Sequence, residues 1–127
     1  MFKLLMVSPN KASLSDLASA LAQYGDVELS WAESGERALD KASETAIDLV
    51  ITDERLGDMT GLAFADRLLS VNPSTNCASV SRLSPENFHD VSEGLGLMAQ
   101  LPVQPGKEDA EMLLERLRDL KKLMGGE

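Results

Sequence analysis

Apolar positions along the chain follow two alternating rhythms. Phe2-Lys3-Leu4-Leu5-Met6-Val7 is apolar except at Lys3, the pattern of a strand covered on both faces. Leu14, Leu17, Ala18, Leu21 and Ala22 recur at helical spacing, and Gly25 supplies a stop. Val27 to Ala32 predicts a short strand, and Ser34 an N-cap for a helix whose inner face carries Ala38, Leu39 and Ala42. Ile47 to Thr52 is the clearest strand. Gly57 and Gly61 precede a helix with Leu62, Ala65, Leu68 and Leu69 at helical intervals, closed by Asn72-Pro73. Cys77 to Val80 gives a fourth strand. Ser84-Pro85-Glu86 combines an N-cap, a first-turn proline and a first-turn acid, and Gly94-Leu95-Gly96 stops the helix so begun. Leu97 to Val103 predicts a fifth strand. A closing helix from Lys107 to Met124 lines up Ala110, Leu113, Leu114, Leu117, Leu120 and Met124.

Strands alternating with helices predict an α/β fold: a (βα)5 doubly wound domain with a parallel five-stranded sheet between two helix layers. Pro102 has no backbone donor and belongs on an edge strand, which suits the order 2-1-3-4-5 with the fifth strand outermost. Residues 1–124 read as one domain, and Gly125-Gly126-Glu127 as a tail or the start of a linker.

Charge narrows the function classes. Twelve Lys and Arg against 21 Asp and Glu leave 127 residues with a net charge of −9. That surface repels phosphate backbones and anionic headgroups, so neither nucleic acid nor membrane is an expected partner. The N-terminal apolar run meets Ser8-Pro9 too early for a signal peptide, and the expected location is cytoplasmic. Cys77 stands alone, which excludes an internal disulfide and a thiolate-clustered zinc site.

In a sheet of this order, ligands bind beyond the carboxyl ends of the strands. The residues there are Ser8-Pro9-Asn10, Asp53-Glu54-Arg55, Ser81-Arg82 and Gln104-Pro105. No glycine-rich phosphate loop follows the first strand, and no base–nucleophile pair is apparent, so an enzyme is not expected. Arg82 stands at the pocket mouth, either solvated or reaching Asp53 in an ion pair. His89 has no second His or Cys nearby and reads as solvated or packed. Phe88, Val91 and Leu95 read as core with part of the stripe open to an interface. Cys77 reads as a small buried hydrophobe, and Trp31 and Tyr24 form no stacking platform.

The middle of the chain resembles the receiver domain of two-component response regulators. Asp48-Leu49-Val50-Ile51-Thr52-Asp53 followed by Met59-Thr60-Gly61-Leu62 looks like that family's phospho-acceptor strand and loop, and Ala32-Glu33-Ser34-Gly35-Glu36-Arg37-Ala38-Leu39 is similar to the start of its second helix. The resemblance implies a flavodoxin-like fold with Asp53 in the phospho-acceptor place. Ser81 falls at the position of the hydroxyl that senses the phosphoryl group. The acidic pair that holds Mg²⁺ in receivers corresponds to Ser8 and Pro9, and the phosphoryl-binding lysine to Gln104, followed by Pro105 as in the family. The family's habit further implies a cis Gln104–Pro105 bond.

Those departures share one physical direction. Mg²⁺ rests on carboxylates, and Pro9 offers no side-chain oxygen while Ser8 and Asn10 offer neutral ones. Gln104 in place of lysine gives up a charge-assisted bond worth about 1.5–3 kcal/mol. The expectation is a degenerate receiver with weak or absent Mg²⁺ binding and no other cofactor. It would act by binding a protein partner or output domain, with weak homodimerisation through helix 4, strand 5 and helix 5 (Phe88, Leu101, Val103). The alternatives are a phosphorylation-dependent switch that still uses Asp53, and a sensor in which Ser8, Asn10, Ser81 and Gln104 hydrogen-bond a neutral ligand.

Overall fold

The computed structural model describes residues 1–123. Its strands are β1 (Phe2–Val7), β2 (Val27–Ala32), β3 (Leu49–Thr52), β4 (Asn76–Val80) and β5 (Leu97–Leu101). They form one sheet in the order β2-β1-β3-β4-β5, with every adjacent pair parallel. The helices are α1 (Ser15–Leu21), α2 (Gly35–Glu44), α3 (Gly61–Val71), α4 (Pro85–Ser92) and α5 (Lys107–Leu123). A 3-10 turn over Lys11–Leu14 leads into α1. Met124 and the residues after it lie outside the described residues.

The unbroken apolar runs have a simple cause: both faces of the sheet are covered, so successive side chains enter different cores. Leu4, Met6, Leu49 and Ile51 point to one side and meet Leu14, Leu17 and Leu21 together with Leu113, Leu114 and Leu117 of α5. Leu5, Val7 and Val50 point to the other, against Ala38, Leu39 and Ala42 of α2 and Phe64, Ala65 and Leu68 of α3. Helix starts follow the sequence chemistry. Ser34, Thr60 and Ser84 each accept the N–H three residues on, from Arg37, Ala63 and Asn87.

Three local expectations change. Ile47 and Asp48 stand before β3, which starts at Leu49, although Asp48 N–H still donates to Lys3 O at 2.8 Å. β5 ends at Leu101, so Pro102 and Val103 lie beyond it; the proline that has no donor terminates the ladder instead of sitting in it. The Gln104–Pro105 bond is not cis, since no described peptide bond is. Gln104 instead takes a left-handed φ of 54° to turn the chain towards α5.

Candidate functional site

Ladder hydrogen bonds carry three loops to the same edge of the sheet. Ser8 N–H donates to Ala32 O at 3.1 Å, Asp53 N–H to Val7 O at 2.9 Å and Ser81 N–H to Leu101 O at 3.0 Å. Each of these residues therefore stands one step past its strand. A cleft of about 790 Å³ opens between their loops, lined in part by Pro9, Asn10, Asp53, Arg55, Ser81, Arg82 and Gln104. Every rim residue expected from the sequence lies there except Ser8 and Pro105, which are both buried.

The Asp53 carboxylate is held from two sides. Oδ1 accepts the N–H of Glu54 at 2.8 Å. Oδ2 accepts the buried Ser8 hydroxyl at 2.9 Å and the hydroxyl of Ser13. Ser13 was not expected from the sequence. The 3-10 turn, opened by Asn10 Oδ1 accepting from Ala12 N–H at 3.2 Å, folds it back over the end of β3. A serine just past a strand and another within one turn of a helix start is the signal that would have found it. Pro9 and Asn10 make no contact of their own with the carboxylate: Pro9 has no polar side chain, and Asn10 is spent on the turn.

Arg82 does not reach Asp53. Its Nε lies 3.2 Å from Glu54 Oε1, and its backbone N–H donates to Glu54 Oε2 at 2.9 Å. Glu54 offers a free carboxylate to both donors, whereas Asp53 Oδ2 is already engaged. Glu54 thus ties the β3–α3 loop to the β4–α4 loop, a role its place in the sequence does not reveal. Ser81 is buried, and its Oγ accepts Leu83 N–H at 3.2 Å. Gln100 Nε2 braces the same loop through Leu83 O at 2.8 Å.

The β3–α3 loop is further fixed at its far end. Arg55 pairs in an isolated bridge with Thr60, and Gly57 supplies the left-handed turn between them at φ 86°. Asp58 accepts the N–H groups of Gly35 and Glu36, each at 3.0 Å, at the start of α2. Those two donors, Gly35 first, hold its carboxyl below the usual carboxylate range. Elsewhere, Phe88 and Leu101 are core residues, and Leu95 is half-buried against the α2–α3 core; of the expected interface residues Val91 and Val103 are exposed. His89 is exposed on α4. Burial pushes the Cys77 thiol up to about 12.

A model of the response regulator receiver domain matches residues 4–102. The chain belongs to that family. Among curated proteins, a response regulator receiver protein of Anaeromyxobacter sp. strain Fw109-5 is 29% identical over 102 residues, covering 80% of this chain and 42% of the relative. The chain thus spans less than half the length of that relative. Among solved structures, the CheY-like receiver domain of Methanospirillum hungatei JF-1 superposes with a TM-score of 0.83 at 21% identity, covering 96% of this chain and 98% of that one. The signal receiver domain of an HD domain-containing protein from Pseudomonas fluorescens Pf-5 gives 0.82 at 18% identity, covering 97% and 90%. Both likenesses establish the fold. As a receiver the chain is a signalling module of the two-component type, with a signalling partner or an output domain implied. Among the described residues no helix is long and apolar enough to cross a membrane.

Proposed function

We propose that this receiver works without a phosphoryl group, as a protein–protein interaction module that is not an enzyme and presents its faces to a partner or output domain. One observation carries the reading: Asp53 Oδ2, the oxygen that faces the end of β1, is engaged by the hydroxyls of Ser8 and Ser13. In the family that space belongs to a metal held by acidic side chains. The donor set here does not fit a hard divalent cation, which favours carboxylates over neutral hydroxyls. Ser8 donates where an acid would accept, Pro9 contributes nothing, and Glu54 is turned to Arg82. Among the described residues no three His, Cys, Asp or Glu side chains converge. Gln104 brings no cation to offset charge developing on a transferred phosphoryl group.

The alternative is a phosphorylation-dependent switch using Asp53. It is favoured by the presence of Asp53 and Ser81 on the same cleft, as a receiver's acceptor and sensor would be. Titration with Mg²⁺, with and without beryllofluoride, separates the two. Trp31 is a suitable reporter, since Lys11 of the 3-10 turn lies 5.2 Å over its ring. The interaction-module reading expects no saturable response at millimolar Mg²⁺, and the switch reading expects one that beryllofluoride enlarges.

For a homodimer through α4, β5 and α5 the exposed large apolar side chains among the described residues are Val91, Val103 just past β5, and Leu123 at the end of α5, since Phe88 and Leu101 are used in the core. So small a patch fits a weak dimer only. A molar mass by light scattering that stays monomeric up to about 1 mM argues against it.

A further inference from the structure

The cleft beside Asp53 has a lopsided hydrogen-bonding inventory. Its acceptors are largely spent inside the chain. Asp53 takes Ser8, Ser13 and the Glu54 N–H, Glu54 takes Arg82, and Asn10 Oδ1 takes Ala12 N–H. Its donors are not. The Arg55 guanidinium, the terminal nitrogens of Arg82, the Ser81 hydroxyl proton and the Gln104 amide have no partner among the described residues, and all four side chains line the cleft. The same cleft is lined by the apolar Leu62, Val80, Leu83 and Val103, of which Leu83 and Val103 are exposed. The volume of about 790 Å³ suits a small ligand, for which a mostly apolar lining with a few converging polar groups is the usual design. Gln104 is the one described non-glycine residue with a positive φ, and strained backbone of this kind gathers at ligand sites.

We infer that the cleft binds a small diffusible carboxylate with a short apolar body. The carboxylate meets Arg55, Arg82, Ser81 and Gln104, and its hydrocarbon part lies on Leu62, Val80, Leu83 and Val103. This departs from the neutral ligand weighed as an alternative from the sequence, because the groups left unspent are donors. One of them, the Arg55 guanidinium, is a cation with no acidic partner among the described residues, while Arg82 keeps its terminal nitrogens free beside its ion pair with Glu54. The inference rests on the reading that Asp53 is not a phospho-acceptor, since a phosphoryl group there would claim the same donors. Ligand occupancy would then fix the β4–α4 loop, which Glu54 and Gln100 already brace, and so couple a metabolite to the partner-binding face.

The test is an amide NMR titration of the native chain at low salt with butyrate and succinate, and with butyramide and inorganic phosphate in parallel, in the absence of Mg²⁺ and phosphodonor. The expected result is a saturable shift confined to the neighbourhood of Ser81, Arg82, Val103 and Gln104, with a dissociation constant of about 10 mM or tighter for a carboxylate. Arg55→Gln, Arg82→Gln and Gln104→Gly should each weaken it several-fold and the double arginine variant by about tenfold or more. Gln104→Gly tolerates the left-handed backbone, so its loss of binding is not a loss of folding. No saturation, equal binding of butyramide, equal binding of phosphate, or indifference to the arginine variants would each overturn the inference. None of those outcomes depends on Asp53 chemistry, whereas uptake of a phosphoryl group from acetyl phosphate defeats the underlying reading while leaving the carboxylate titration to stand or fall separately.

Discussion

A methyl group on Gly61 would stand 2.5 Å from the carbonyl oxygen of Asp53 and 2.9 Å from Ser79 Oγ. The start of α3 is therefore pressed against the end of β3, and its N–H donates to Glu54 O at 2.9 Å. The glycine eight positions after the aspartate, which carried part of the family resemblance, has a packing reason. Since the obstacle is backbone, Gly61→Ala should cost about 1–3 kcal/mol in urea unfolding. A variant as stable as the native chain would show that α3 can slide.

Ser8 and Asp53 should be energetically coupled. Removing the buried Ser8 hydroxyl with Ser8→Ala takes a donor from a charged acceptor and leaves the Asn10 N–H without its 3.0 Å partner, a loss of about 1–3 kcal/mol. In the Asp53→Ala background the same change should cost less. An additive double-mutant cycle would mean that the contact contributes nothing.

The sequence made the layers legible and the loops only partly so. A sheet covered on both faces writes itself as continuous apolar runs, and α1 to α5 carry stripes whose period differs from those runs; both signals come from burial, which composition records directly. Side-chain pairing across loops leaves no such trace. Arg82 had two neighbouring acids within reach, and only the geometry of the β4–α4 loop decides for Glu54, through the Arg82 N–H that the same carboxylate also accepts. Ser13 was overlooked because its contact with Asp53 depends on a 3-10 turn, whose short span leaves no periodicity. The left-handed turn at Gln104, φ 54°, is likewise a conformation that glutamine does not advertise.

Acid should loosen the β3–α3 loop through Asp58. Its folded carboxyl titrates below the ordinary 3.8, held there by Gly35 and Glu36 N–H. A depressed carboxylate contributes stability that is fully present above its unfolded value and is lost as pH falls through its folded one. The melting temperature should therefore drop below about pH 3.8, and Asp58→Asn should flatten that dependence. Asp26, lowered mainly by its bond from Arg118, contributes in the same direction. An Asp58→Asn profile parallel to the native one would remove Asp58 from the account.

Cys77 gives a test of packing. Burial near the start of β4 raises its thiol to about 12, so at pH 8 it should resist a thiol reagent until the chain unfolds. Rapid labelling in native buffer would contradict the burial.

If the domain signals without phosphate, Asp53→Asn should leave partner binding unchanged, since the amide keeps the shape and an oxygen for Ser8 or Ser13. A partner affinity reduced by about tenfold or more would show that the charge itself is used.

The most direct measurement is the intact mass of the chain after incubation with acetyl phosphate and Mg²⁺. The account predicts an unchanged mass for the native protein. It also predicts a base-labile adduct of one phosphoryl group on Asp53 once Ser8→Asp, Pro9→Asp and Gln104→Lys are combined, with Arg82→Ala added should the pocket mouth stay closed. Ready phosphorylation of the native chain, abolished by Asp53→Asn, would contradict it and establish the phosphorylation-dependent switch.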